Sequence, residues 1–127
     1  MGRQIISTKK APQAIGPYSQ AVEKGNMLFT SGQIALDPES MKVVEGGIEA
    51  QTVQVMKNLL SVLGAAGMTF GNVVKTTCYL SDMDYFKAFN EVYATFFEEN
   101  NAPARATVAV KTLPLGVLVE VDAIAIS

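Results

Sequence analysis

Apolar residues along this chain change their spacing in a set order, and that order limits the fold more than any other feature. Over residues 48–66 the positions Ile48, Val55, Met56, Leu59, Leu60, Val62, Leu63 and Ala66 recur at helical intervals, so one broad face of a long helix is buried. Phe86, Phe89, Tyr93, Phe96 and Phe97 repeat that spacing further on. This aromatic stripe reads as the core face of a second helix rather than as a ligand box. Strand-like runs surround the two helices, at residues 3–8, 18–23, 26–34, 72–80, 107–111 and 117–126. Several strands, a helix, a strand, a helix and two strands predict a mixed α+β sheet with both helices on one face. The bare face is then a natural subunit interface.

The punctuation between these runs fits that order. Ala11-Pro12-Gln13-Ala14-Ile15-Gly16-Pro17 breaks regular structure, and Lys24-Gly25-Asn26 is a hairpin-type turn. Asp37-Pro38-Glu39-Ser40 and Gly46-Gly47 mark loops before the first helix. Gly67 closes that helix in a left-handed cap. Ser81 or Asp82 offers an N-cap to the second helix, with Asp84 favourable in its first turn. Asn100-Asn101 and Pro103 are expected to stop it, and Leu113-Pro114-Leu115-Gly116 separates the last two strands.

A chain of 127 residues is expected to form one domain over residues 1–127. Hydrophobic residues make up 49% and charged residues only 17%, sparse cover for a small monomer, so apolar surface is expected to be buried between subunits. The net charge is -2 and the ten basic residues are scattered. With no basic stripe, nucleic-acid binding has no electrostatic support. Lys9-Lys10 and Glu98-Glu99 read as solvated ends. The chain has no His and one Cys, which removes Cys/His zinc clusters and Ser-His or Cys-His dyads. Cys78, inside an apolar run, reads as a small core residue. No signal core opens the chain and no apolar run reaches about 18 residues, so no membrane partner and a cytoplasmic, reducing setting are expected.

Few residues are left to carry chemistry. Arg105 stands in the small-residue run Pro103-Ala104-Arg105-Ala106-Thr107, ahead of the next strand. Its planar paired donors suit a bidentate grip on a small carboxylate, though a structural ion pair fits the same residue. Period-two alternation over residues 117–126 sets Val117, Val119, Val121, Ala123 and Ala125 on one face and Leu118, Glu120, Asp122, Ile124 and Ile126 on the other. Glu120 is thus an acid among apolar neighbours. It reads as a solvated or ion-paired strand residue, or as a group that orients or deprotonates water, with Arg105 expected in the same pocket. Tyr18, held by Gly16-Pro17, fits either ligand contact or core packing. Ser31-Gly32 is a plain strand end or a hydroxyl and close backbone N–H offered to an anion. Asn90 interrupts the apolar face of the second helix, where its amide anchors a neighbouring loop or contacts a ligand.

Taken together, Ala14-Ile15-Gly16-Pro17-Tyr18-Ser19-Gln20-Ala21, Thr30-Ser31-Gly32-Gln33-Ile34, Asn72-Val73-Val74-Lys75-Thr76-Thr77, Pro103-Ala104-Arg105-Ala106 and Val119-Glu120-Val121 resemble the RidA/YjgF family of enamine/imine deaminases. Family members have also been labelled translation inhibitors or endoribonuclease L-PSP-like proteins. The resemblance runs over nearly the whole length and rests on the order and spacing of the pieces.

What the resemblance implies is a chorismate-mutase-like α+β fold, a homotrimer, and three sites in clefts between subunits. It also implies hydrolysis of 2-aminoacrylate, 2-aminocrotonate and their imines to 2-keto acids and ammonia, with no cofactor and no metal. Arg105 would clamp the substrate carboxylate and Glu120 would help activate water. Tyr18, Ser31, Gly32, Asn90 and the backbone at Thr107 would bind substrate. Many members carry Cys where this chain has Thr107, so a reactive thiol there is excluded. Two other readings attach to the same resemblance: a trimeric small-molecule-binding regulator acting on a protein partner without turnover, and an endoribonuclease. The second lacks a His general acid and a basic track.

Overall fold

In the computed structural model, which describes residues 2–127, six strands form one sheet in the order β1-β2-β3-β6-β4-β5. The strands are β1 (Gln4–Ile6), β2 (Ala21–Lys24), β3 (Met27–Thr30), β4 (Val73–Leu80), β5 (Ala104–Ala109) and β6 (Val119–Ile126). The helices are α1 (Ile48–Ala65) and α2 (Phe86–Ala94). β3 and β4 each pair antiparallel with β6, so the two run parallel with β6 between them, and α1 makes the crossover. α2 likewise connects β4 to β5, which pair in parallel at the sheet edge. The mixed α+β expectation holds.

Apolar spacing places the core. Val55, Met56, Leu59, Val62 and Leu63 on α1 are fully buried, and α1 packs on β6 and α2. Val119, Val121, Ala123 and Ala125 of β6 meet them, following the expected alternation. Each large aliphatic side chain buried there contributes about 1.5–3 kcal/mol. α1 ends as Gly67 predicts: its φ is +73°, its N–H bonds Gly64 O at 3.0 Å, and Met68 N–H bonds Leu63 O at 2.9 Å. These two bonds form a Schellman cap.

Several boundaries differ from the sequence reading, β2 for one starting at Ala21 and not at Tyr18, and three of them bear on the site and the second helix. β3 stops at Thr30 instead of reaching Ile34: Ser31 still bonds the β2 side, its N–H to Gln20 O and its hydroxyl to Ser19 O, but the register with β6 slips by one residue beyond Phe29. Pairing resumes only at Gln33, which exchanges backbone bonds with Val121. α2 stops at Ala94, well before Asn100. Its last turn tightens as the Thr95 hydroxyl takes Val92 O at 2.6 Å, and Phe96 and Phe97 swing against Phe70 with ring centroids 5.8 and 5.2 Å away. β5 begins at Ala104, so Arg105 is a strand residue rather than part of a loop ahead of one. The N-cap is Asp82, whose carboxylate accepts from Asp84 N–H at 2.8 Å to start a 3-10 turn (Met83–Tyr85) leading into α2.

The sheet face away from the helices carries Ile5, Phe29, Val108 and Ile126, each 36–52% exposed. They form an apolar part of that face, uncovered in the single chain, beside Lys75, Glu120 and Asp122.

Candidate active site

Ladder register separates the two charged residues that the sequence reading placed in one pocket. Arg105 is the partner of Thr76, which faces α2 and is fully buried, whereas Glu120 is the partner of Tyr79 on the opposite face. In one chain Arg105 and Glu120 therefore point to opposite sides of the sheet. Among the described residues, no ion pair joins Arg105 to a carboxylate.

On the helix side, a cavity of about 520 Å³ opens between α2 and the segment entering β5, with Asn90, Tyr93, Phe97, Glu98, Glu99 and Arg105 in its lining. Arg105 Nη1 donates to Asn90 Oδ1 at 2.7 Å. Its guanidinium carbon lies 4.8 Å from the Tyr93 ring centroid and 5.4 Å from that of Phe86, within cation–π range. Asn90 thus grips a strand side chain instead of the neighbouring loop expected for it. A neutral amide and two aromatic faces orient the cation without neutralising it, and among the described residues its other N–H groups meet no acceptor, which leaves them able to take an anion.

On the other side, Tyr18, Ser31, Gly32, Gln33, Pro114 and Glu120 line a second cavity of about 410 Å³. Burial pushes the Glu120 carboxyl above its usual range, and the nearby Asp122 carboxylate adds to that rise. Gly32 lets the Glu120 carboxylate lie against the backbone, where a β-carbon would overlap it. Tyr18 is held by its N–H bond to Gly16 O at 2.9 Å, with Gly16 at φ +118°, and its ring is more than half exposed. The floor and walls are fixed by buried amides. Gln20 accepts from Thr8 N–H at 2.7 Å and donates to Thr8, Ala11 and Pro12 carbonyls. Asn58 of α1 donates to Ile34 and Leu36 carbonyls at 3.0 and 2.9 Å.

Thr107 lines neither cavity. It follows Arg105 on the helix face beside Cys78, and its buried Oγ1 finds no hydrogen-bond partner among the described residues. Cys78 itself is buried, which pushes its thiol up to about 11 and leaves it protonated near neutrality. Tyr93 was legible in the sequence as a core aromatic, and it is one. Its contact with Arg105 was not, because only the parallel β4–β5 register brings the two together.

No group of three or more His, Cys, Asp or Glu among the described residues is arranged to hold a metal, and no described helix is long and apolar enough to cross a membrane.

Comparison with known proteins places the chain. The mouse 2-iminobutanoate/2-iminopropanoate deaminase is 51% identical over 124 residues, 98% of this chain and 91% of its own length. The solved structure of YyfA from Yersinia pestis, of the conserved Rid protein family, superposes with a TM-score of 0.96 at 44% identity, covering 99% of this chain and all of that one. E. coli TdcF, solved with bound serine, gives a TM-score of 0.92 at 40% identity and covers 98% of each chain. Residues 8–127 match the family described as Endoribonuclease L-PSP, and with relatives of this closeness among the Rid proteins the chain belongs to that family.

Proposed function

We propose that this protein hydrolyses small 2-imino acids and their enamine tautomers to 2-keto acids and ammonia, at sites shared between copies of the chain. The observation that carries the reading is the state of Arg105. It is half-buried, held in place by Asn90 and Tyr93, and free of a carboxylate partner among the described residues. An Arg oriented by neutral groups is built to receive an anion from outside. The deaminase name of the mouse relative supports the chemistry.

Because Arg105 and Glu120 lie on opposite faces, a complete site needs the Arg105 cavity of one copy against the Glu120 cavity of another. β5 at the sheet edge and the uncovered apolar part of the face opposite the helices offer the surfaces for that assembly, which we take to be a homotrimer in the cytoplasm. In the shared cleft, Arg105 fixes the substrate carboxylate. Glu120, as carboxylate, takes a proton from water while the water oxygen bonds to the imine carbon and the C=N electron pair moves to nitrogen. Glu120 hands that proton to the nitrogen, the hydroxyl proton then follows through Glu120 to the same nitrogen, and the C–N bond breaks to release ammonia as C=O forms, leaving Glu120 a carboxylate again. Tyr18, Ser31 and Gly32 line the Glu120 side. Asn90 acts through Arg105, and Thr107 contributes its backbone. A charge-assisted Arg–carboxylate bond of about 1.5–3 kcal/mol sets the scale of binding, and orientation supplies much of the rate.

The test is imine disappearance in a coupled assay with threonine dehydratase. Acceleration over buffer, lost by about ten- to a hundredfold in Arg105→Ala, is expected. No acceleration, or full activity in Arg105→Ala, refutes the proposal. Serine bound to TdcF supports a second reading, ligand binding without turnover. Tight 2-keto acid binding without hydrolysis would favour it.

A further inference from the structure

Tyr93 is 4% exposed and stacks among Phe89 and Phe97, with centroids 5.4 and 4.9 Å away. Filling the core needs only its ring, and phenylalanine would serve. Among the described residues the hydroxyl has one hydrogen-bond partner, Thr76 Oγ1 at 2.7 Å, and Thr76 is fully buried. Thr76 is also the residue paired with Arg105 in the β4–β5 ladder. The restraints therefore close on themselves. The ladder sets Arg105 beside Thr76, Thr76 holds the Tyr93 hydroxyl, and the Tyr93 ring returns beneath the Arg105 guanidinium at 4.8 Å. Asn90, one helical turn before Tyr93 on α2, grips the edge of the same group at 2.7 Å.

Resting on the reading of Arg105 as a carboxylate clamp, we propose that Tyr93 is a positioning residue: its ring sets the plane of the guanidinium and Thr76 Oγ1 sets the ring. Two aspects of the geometry favour this over packing alone. An amide at the edge and a ring on the face restrain a planar cation in different directions, which fixes the donors that a bidentate carboxylate needs. A buried hydroxyl pair also fixes where the ring sits more narrowly than apolar contact does, since swinging the ring about Cα–Cβ strands two polar groups.

The experiment uses the full-length protein and 2-ketobutanoate as probe, with its dissociation constant measured by calorimetry and KM and kcat by the coupled assay. All measurements are made well below each variant's melting temperature. Tyr93→Phe and Thr76→Val are expected to raise the dissociation constant and KM about three- to tenfold, with kcat within about twofold, as for loosened orientation. Thr76→Ser, which keeps the hydroxyl, should rescue both constants toward the wild-type values. Unchanged constants in Tyr93→Phe with only a lower melting temperature would reduce Tyr93 to a core residue and overturn the proposal. If Tyr93→Phe does not fold, the Thr76 pair decides, because equal constants for Val and Ser overturn it as well. Wild-type binding without imine hydrolysis would sink the deaminase reading while leaving the calorimetric comparison intact. Wild-type binding that Arg105→Ala abolishes and Tyr93→Phe leaves untouched would sink the positioning role alone.

Discussion

The Glu120 carboxylate lies directly over the α-carbon of Gly32, where an added β-carbon would overlap Oε2 and come within 2.8 Å of Cδ. The obstructing atoms are the end of a flexible side chain, so Gly32→Ala should fold with a stability change within about 1 kcal/mol. Its cost falls on function. With Glu120 displaced, imine hydrolysis should drop about ten- to a hundredfold while 2-ketobutanoate still binds. Thermal melts beside the coupled assay check this; wild-type activity would show that the carboxylate position is not critical.

Glu120 should trade stability for function. Burial, then the Asp122 charge, raises its folded-state affinity for protons, so ionisation opposes folding. Stability is full below the unfolded-state value and falls as pH rises through the folded one. Glu120→Gln should therefore melt higher than wild type at pH 7.5, with the gap closing as pH falls toward the ordinary carboxyl range. Hydrolysis should be lost by about a hundredfold or more. Melting curves across pH that run parallel for the two proteins would contradict this.

Gln20 is 4% exposed and ties the segment from Thr8 to Pro12 to the sheet through four hydrogen bonds. Gln20→Leu leaves those backbone groups without partners and should destabilise the fold by about 2–4 kcal/mol. Urea unfolding measures the loss. Limited proteolysis should find new cleavage near Lys9 and Lys10, where the wild type resists.

Cys78 should be inert in the folded protein. It is fully buried with its thiol pushed up to about 11, so thiolate is scarce at pH 8 and access is closed. Iodoacetamide should label it only after unfolding. Rapid native labelling would mean that the β4–β6 core opens.

The two periodicities were legible because each is local. Helical spacing marked α1 and α2, and alternation along residues 117–126 sorted β6 into a buried face and a Glu120 face, as observed. Gly67 announced its cap because only a left-handed residue fits there. Strand ends were less legible. The break after Thr30 and the early start of β5 are decided by partners far away in sequence, β6 and β4. Gln20 and Asn58 as braces for loops, and Tyr93 as a support for Arg105, left no mark beyond an amide or a ring at a buried position.

By itself the sequence determined the order of elements, the family motifs, and which residues of one strand share a face, since those follow from bond geometry along the chain. Whether Arg105 and Glu120 meet was decided only in the tertiary structure. They lie on different strands, and parity on one strand says nothing about parity on another until backbone hydrogen bonds set the register. With Thr76 opposite Arg105 and Tyr79 opposite Glu120, the sheet itself stands between them.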